Sequence, residues 1–235
     1  MKKRNKKRVI LIVTVVILVG LCCWTIWGNT VLEINEYAIM SDKIPEAFTG
    51  FRIAQVSDLH NAEFGDGNEK LIELLSQTDP DIIVITGDLI DSRHTDIEIA
   101  LEFARQAINI APIYYVSGNH EARVREYEDL KMGLAEAGVN VLEDQISHRP
   151  ELFDLYVETE MDLVFSGHAH GGQFRLPFIG GLVAPNQGFF PKYDAGLFSV
   201  DSTNMIVSRG VGNSIIPIRF NNRPEIVVAV LNPVT

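Results

Sequence analysis

Five times along this chain, a short apolar run gives way to a tight turn loaded with Asp, Asn or His. Residues 51–56 lead into Ser57-Asp58-Leu59-His60, and 81–85 into Thr86-Gly87-Asp88-Leu89-Ile90-Asp91. Residues 112–116 lead into Ser117-Gly118-Asn119-His120-Glu121, and 139–142 run on toward Ser147-His148. Residues 161–165 lead into Ser166-Gly167-His168-Ala169-His170-Gly171-Gly172. Apolar runs this short, bounded by turn residues, read as buried strands. Between them lie segments with helical spacing: 68–77 with Leu71, Ile72, Leu74 and Leu75, 95–108 with Ile97, Leu101, Ala104 and Ile108, and a third ending near Ala137 and closed by Gly138. Strand and helix in alternation imply a parallel sheet with crossover helices. After Gly171 the pattern changes. Short runs at 196–200, 204–208 and 225–231 alternate with Gly, Pro and Asn turns, so the C-terminal third is expected to be mostly antiparallel β.

In open α/β sheets, ligands bind beyond the carboxyl ends of the strands. Asp58, His60, Asp88, Asn119, His168 and His170 all sit at such ends and should converge on one rim. Oxygen and nitrogen donors without sulfur suit divalent ions of the Mn, Fe or Zn class. Two such ions about 3.5–4 Å apart, sharing a carboxylate and a water, clamp an in-line phosphoryl displacement. A carboxylate can bridge two cations and a histidine cannot. Imidazoles and an amide oxygen add bonds without cancelling charge, so two divalent ions against two aspartates leave about +2 to attract a phosphate.

The N-terminus is of another kind. Residues 9–27 are uncharged and almost wholly apolar, long enough to cross a bilayer as a helix. Residues 1–8 carry six positive charges and are expected on the cytoplasmic side, which places the rest of the chain outside the cytoplasm. No small-x-small cleavage site follows, so an uncleaved anchor is expected rather than a removed signal peptide. Both cysteines, Cys22 and Cys23, fall in this segment, so disulfides and thiolate metal sites are excluded from the body. Without the six N-terminal positives, 14 Lys and Arg face 31 Asp and Glu, a net −17. Such a body is not expected to bind nucleic acid, which needs clustered cations. The expected organisation is a basic stub at 1–8, a transmembrane anchor at 9–27, a linker and first strand at 28–50 and a catalytic domain at 51–235.

Together Asp58-x-His60, Gly87-Asp88-x-x-Asp91, Gly118-Asn119-His120-Glu121 and Gly167-His168-x-His170 resemble the calcineurin-like metallophosphoesterase superfamily, with Ser147-His148-Arg149-Pro150 similar to its remaining histidine motif. Gly-His-Ala-His-Gly-Gly-Gln and Arg-Gly-x-Gly-Asn resemble most closely its bacterial membrane-anchored branch. The resemblance implies an αββα sandwich with a parallel or mixed N-terminal sheet and a more antiparallel C-terminal one, behind a single transmembrane helix. It implies one metal on Asp58, His60 and His170, a second on Asn119, His148 and His168, and Asp88 bridging them. It implies His120 near the leaving oxygen as a general acid or charge stabiliser, Asp91 orienting it, and a bridging hydroxide as nucleophile on a phosphomonoester or phosphodiester. Some relatives in that branch cleave nucleotide-diphospho-lipids such as UDP-diacylglucosamine, so an envelope or lipid-linked phosphate is an expected substrate class. Arg209, before Gly210-Val211-Gly212-Asn213, is a candidate for contacting substrate phosphate, the alternative being a pair with a surface acid.

The chain departs from the family pattern before His148. His148 stands only 28 positions after His120, and of Glu143-Asp144-Gln145-Ile146 only Ile146 suits a buried strand. This reads as an internal shortening around 143–147 that impairs the second metal site and leaves one sheet edge unprotected. It supports an alternative function, an inactive metal-binding surface module. A nuclease of the same fold is disfavoured by the acidic body, and a metallo-β-lactamase by the lack of His-x-His-x-Asp-His.

Overall fold

The computed structural model describes residues 2–142, 148–213 and 215–234, so the shortening expected at 143–147 lies outside the described residues. Helix α1 (Lys2–Thr30) stands clear of the core, and its last 25 residues are long and apolar enough to cross a membrane. At 1.5 Å per residue those 25 span about 37 Å, more than the hydrocarbon of a bilayer. The helix runs three residues into the segment expected as linker and first strand, leaving two residues before strand β1 (Glu33–Ser41).

The body follows as β2 (Phe51–Val56), α2 (Glu69–Gln77), β3 (Ile82–Ile85), α3 (Ile97–Ala107), β4 (Ile113–Val116), α4 (Tyr127–Glu136), β5 (Asn140–Leu142), α5 (Phe153–Glu158) and β6 (Leu163–Ser166). Two small hairpins come next, β7 (Arg175–Leu176) with β8 (Gly180–Gly181), and β9 (Val183–Ala184) with β10 (Gly188–Phe189). The chain closes with β11 (Gly196–Val200), β12 (Thr203–Val207) and β13 (Glu225–Pro233). Local chemistry marks the helix ends. The Asp96 carboxylate accepts from Glu98 N at the start of α3, and Gly138 at φ 90° lets the chain leave α4.

The large sheet has the order β1-β13-β2-β3-β4-β5, with β2 to β5 all parallel. The last strand, β13, leaves the C-terminal third to sit between β1, to which it is parallel, and β2, to which it is antiparallel. The small sheet, β11-β12-β6, is antiparallel at β11/β12 and parallel at β12/β6. Strand alternation divides the core into layers. Ile83 and Ile85 pack against α2 to α4, while Ile82 and Val84 face the small sheet through Leu163, Phe165 and Ile206. The outer face of the small sheet packs Val164 and Met205 on Phe153 and Tyr156 of α5. This is the αββα sandwich.

Among the described residues β6 has no strand partner on its outer side, and a cavity of about 220 Å³ opens there between Tyr114, Val116, Leu142, Leu163 and Phe165.

Candidate active site

The carboxyl ends of β2, β3, β4 and β6 meet where the two sheets come together, and backbone hydrogen bonds stitch their turns. Asp58 N donates to Gly87 O and His60 N to Asp88 O, both at 3.0 Å, and Val211 N donates to Ser57 O at 2.9 Å. Asp58, His60, Asp88, His168 and His170 all have positive φ, between 47° and 64°. Five of the seven predicted ligands thus hold a backbone region that costs a non-glycine residue roughly 1–3 kcal/mol each. Such a conformation persists only where the surrounding packing over-determines it. Neighbouring glycines make room: a Cβ on Gly118 would enter the Asp88 carboxylate, and one on Gly167 would enter Ser57 Oγ and Asp58 Oδ2.

Among the described residues the side chains form three donor groups, each within 4.8 Å: Asp58, His60 and His170; Asp88, His148 and His168; and His60, Asp91 and His120. In the first, His170 Nε2 lies 3.4 Å from Asp58 Oδ1 and 3.1 Å from His60 Nε2. In the second, His148 Nε2 lies 3.2 Å from Asp88 Oδ2. The same Asp88 oxygen is 3.8 Å from His60 Nε2, so this carboxylate stands between these two groups. Its other oxygen accepts from His120 N at 2.8 Å. The Asn119 amide oxygen is buried without a hydrogen-bond partner, as is His60 Nδ1. Orphaned buried acceptors of this kind call for a partner. A sulfur-free set of carboxylates, imidazoles and an amide oxygen fits divalent cations.

Burial disfavours charge on His148, but Asp88 outweighs it and lifts the imidazole to about 10. Burial pushes His170 down to about 3 and also lowers His168. Burial works to raise the Asp58 carboxyl, yet His170 and His60 hold it well below the usual range, as His148 does for Asp88. His148 Nδ1 sits 2.6 Å from Thr86 O, a contact that keeps a proton on Nδ1 and leaves Nε2 to meet a cation or proton. His148 is therefore in the cluster despite the short segment before it.

His120 is close by, its ring 4.5 Å from that of His60, but the expected role of Asp91 needs correction. Asp91 Oδ1 is 3.7 Å from His120 Nδ1, too far for a hydrogen bond. Instead Ser92 N donates to His120 Nδ1 at 3.0 Å. Asp91 is taken by Arg93 at 3.0 and 2.6 Å, which holds its carboxyl down at about 2 against burial. Nδ1 being an acceptor, the proton of neutral His120 sits on Nε2, and burial lowers the pKa of the ring.

Arg209 is also corrected. Its guanidinium does not reach for a phosphate. It is held by Glu225, at 2.8 and 2.6 Å, and by Glu33. The buried arginine beside the site is Arg219, which sequence reasoning missed. Its Nη2 lies 3.5 Å from His170 Nδ1 and donates to Gly212 O, and burial pulls its pKa down to about 10. Its only signal was a lone cation after Ile216-Pro217-Ile218. Two further residues have no role in the sequence reading, Glu121 although it closes the Gly118-Asn119-His120-Glu121 motif. Asn186 donates to His168 Nε2 at 2.9 Å, and buried Glu121 ties the β3 and β4 turns by accepting from Asp88 N and Gly118 N.

Comparison with known proteins bears on this cluster. The calcineurin-like phosphoesterase family profile matches residues 51–146. The chain is 27% identical to the uncharacterized metallophosphoesterase YkuE of Bacillus subtilis, over 85% of each protein. It is 25% identical to the phosphodiesterase YaeI of Escherichia coli, over 75% of this chain and 80% of that one. It is also 25% identical to a transmembrane protein with metallophosphoesterase domain from Danio rerio, over 85% of this chain and 57% of that protein. The alignment to YkuE runs over 246 residues, more than the 235 of this chain, so that relative carries residues with no counterpart here.

Proposed function

Since this chain belongs to the calcineurin-like metallophosphoesterase superfamily and is a hydrolase of phosphoesters, we propose that it works with two divalent cations of the Mn, Fe or Zn class. Asp58, His60 and His170 hold one; Asn119, His148 and His168 hold the other; Asp88 serves both. The observation that carries this reading is the position of Asp88 Oδ2, 3.2 Å from one group's His148 and 3.8 Å from the other's His60. When bound, such a cation pair neutralises phosphate charge and makes a shared water nucleophilic near neutral pH.

The protein's own residues do the rest. Asp58 and Asp88 stay ionised, so they balance bound cations without a prior proton loss. Ser92 N fixes the His120 tautomer, which offers Nε2–H to the leaving oxygen. Gly118 and Gly167 keep the carboxylates in place by leaving no side chain to displace them. The substrate is a phosphomonoester or phosphodiester presented at a membrane, lipid-linked or part of the envelope. The phosphodiesterase name of YaeI and the transmembrane relative support that choice. The six positives before the apolar helix support a cytoplasmic N-terminus and a catalytic body on the other side.

The test is hydrolysis of bis(p-nitrophenyl) phosphate and p-nitrophenyl phosphate by purified full-length protein with Mn, beside elemental analysis. Two ions per chain, with turnover lost on chelation and restored by Mn, is the expected result. Bound ions without turnover on any ester, whichever metal is supplied, would leave the inactive binding module in its place.

A further inference from the structure

Residues 219–223 lie between the N-terminal helix and the first donor group, and they bond to both. At one end of this segment Arg219 is gripped by the last turn of α1. Asn29 Oδ1 accepts from Arg219 N at 2.7 Å, and Asn29 Nδ2 donates to Arg219 O at 2.9 Å. At the other end Arg223 lies 4.7 Å over the Trp27 ring and donates to Val31 O at 3.0 Å and Leu32 O at 2.6 Å. Apart from one bridge between Phe220 and Phe174, the segment belongs to no strand or helix. Its shape is therefore set by these clamps and by its own side chains.

The same segment holds His170 from two directions. Asn222 Nδ2 donates to His170 O at 2.7 Å and to Gln173 O at 3.2 Å, which fixes the backbone. Arg219 Nη2 stands 3.5 Å from His170 Nδ1, against the ring. That guanidinium is fully buried, and its remaining bonds go to Asn213 Oδ1 at 2.9 Å, to Arg209 O at 2.7 Å and to Gly212 O. The loop that supplies these acceptors also carries Gly212 N, which donates to Asp58 O at 2.7 Å. Two of the three residues of the first donor group thus lean on chain that α1 pins. The second group draws its support from elsewhere, Thr86 O at His148 Nδ1 and Asn186 at His168 Nε2. Among the described residues no hydrogen bond joins 219–223 to His148 or His168.

We propose that Asn29 is a positioning residue for His170, so that the last turn of the N-terminal helix is the outer support of the first cation site. The inference rests on the reading that Asp58, His60 and His170 hold a cation. Asn29 touches no ligand itself, and its effect passes through Arg219 and Asn222. His170 Nε2 faces Asp58 and His60, and the opposite ring nitrogen is the one that meets Arg219. Releasing one end of an irregular segment lets it open locally at little cost, and the ring it holds then loses its fixed orientation.

The experiment uses the full chain in detergent, stripped of metal and titrated with Co(II), whose visible absorption reports ligand geometry. Two backgrounds separate the donor groups: His168→Ala leaves the first intact, and His170→Ala leaves the second. Adding Asn29→Ala should weaken Co(II) binding about 10–100-fold in the first background and leave affinity and spectrum unchanged in the second. Arg223→Gln frees the other, more exposed end of the segment, should act in the same direction, and serves if Asn29→Ala fails to fold. No weakening in the first background overturns the positioning role. Equal weakening in both backgrounds with a lower melting temperature also overturns it, since general destabilisation then accounts for the loss. Carbethoxylation by diethyl pyrocarbonate tests the clamp without metal. His168 and His170 share one tryptic peptide, so their ratio of modification is an internal measure. Asn29→Ala should raise modification of His170 relative to His168 several-fold, and an unchanged ratio in both variants overturns the clamp. A raised ratio in the variant, beside a parent that binds no Co(II), would sink the two-cation reading and leave the clamp standing.

Discussion

Replacing Asp88 with Asn keeps the volume and one acceptor for His120 N but removes the negative charge between the two donor groups. In metal-free protein the partner that feels this most is His148, which Asp88 holds at about 10 against burial. A histidine whose pKa is raised on folding adds stability that is fully present below its unfolded value near 6.5 and is lost as pH rises through about 10. Breaking a buried ion pair by removing one partner costs about 3–5 kcal/mol. For a domain of this size each kcal/mol moves the melting temperature by roughly 2–4 °C. At pH 6, chelated Asp88→Asn should therefore melt about 10 °C below the parent. Above pH 10 the gap should close, because the parent has by then lost the charged imidazole. The assay is thermal melting in detergent at pH 6, 8 and 10.5, with the variant as reference so that other titrations cancel. In metal-loaded protein the same change should reduce bound ions below two per chain and cut turnover of bis(p-nitrophenyl) phosphate by at least about 10³-fold, since charge at the reacting centre is the largest catalytic element. A melting difference that does not vary with pH would refute the pairing of Asp88 with His148. Two retained ions with turnover within tenfold of the parent would refute its place between the metals.

Two other substitutions probe residues around the cluster. With His168 ligating through Nδ1, its proton would sit on Nε2 and be accepted by the Asn186 amide oxygen once that amide turns over, so Asn186→Ala should weaken metal binding by about 10–100-fold, read by competition with a chromogenic chelator. Asp91→Ala should lower kcat by less than about tenfold and leave the pH profile in place, because Ser92 N and not Asp91 holds His120 Nδ1. A steady-state pH profile whose limb on the His120 side moves by a full unit would contradict that.

How far the sequence could be read depended on whether a feature was local. The strands at 51–56 and 113–116 lie where their apolar runs said, because burial on both faces leaves no other use for such runs. The convergence of these turns was legible in part for the same reason: Asp58, Asp88 and Asn119 follow the ends of β2, β3 and β4, and parallel strands bring their carboxyl ends to one rim, whereas His168 arrives from β6 in the small sheet. The place of β13 between β1 and β2 was not legible, since periodicity says that a run is a strand and not which strand it pairs with.

The misread side chains are all charged, and each was decided by competition between partners. The Arg209 loop does reach the site, as Gly210 shows by lying so close to Asp58 that a Cβ would meet its side chain at 2.7 Å. The guanidinium turns away because Glu33, 176 residues distant in sequence, and Glu225 offer it two carboxylates, and paired carboxylates hold an arginine more strongly than any solvated site. Asp91 was decided by a partner only two residues away. Arg93 N and its guanidinium both bond the Asp91 carboxylate, which leaves His120 to the backbone of Ser92. That pairing was legible, because Asp-x-Arg at a turn already contains an acceptor, a backbone donor and a fork of donors within reach of one another. Strand ends tell where a side chain starts, and the nearest unspent opposite charge decides where it ends. The aspartates that remained in the cluster are paired with imidazoles, groups that can give up their protons to a metal as Arg93 cannot, and Arg219 acts on Asp58 only through its charge.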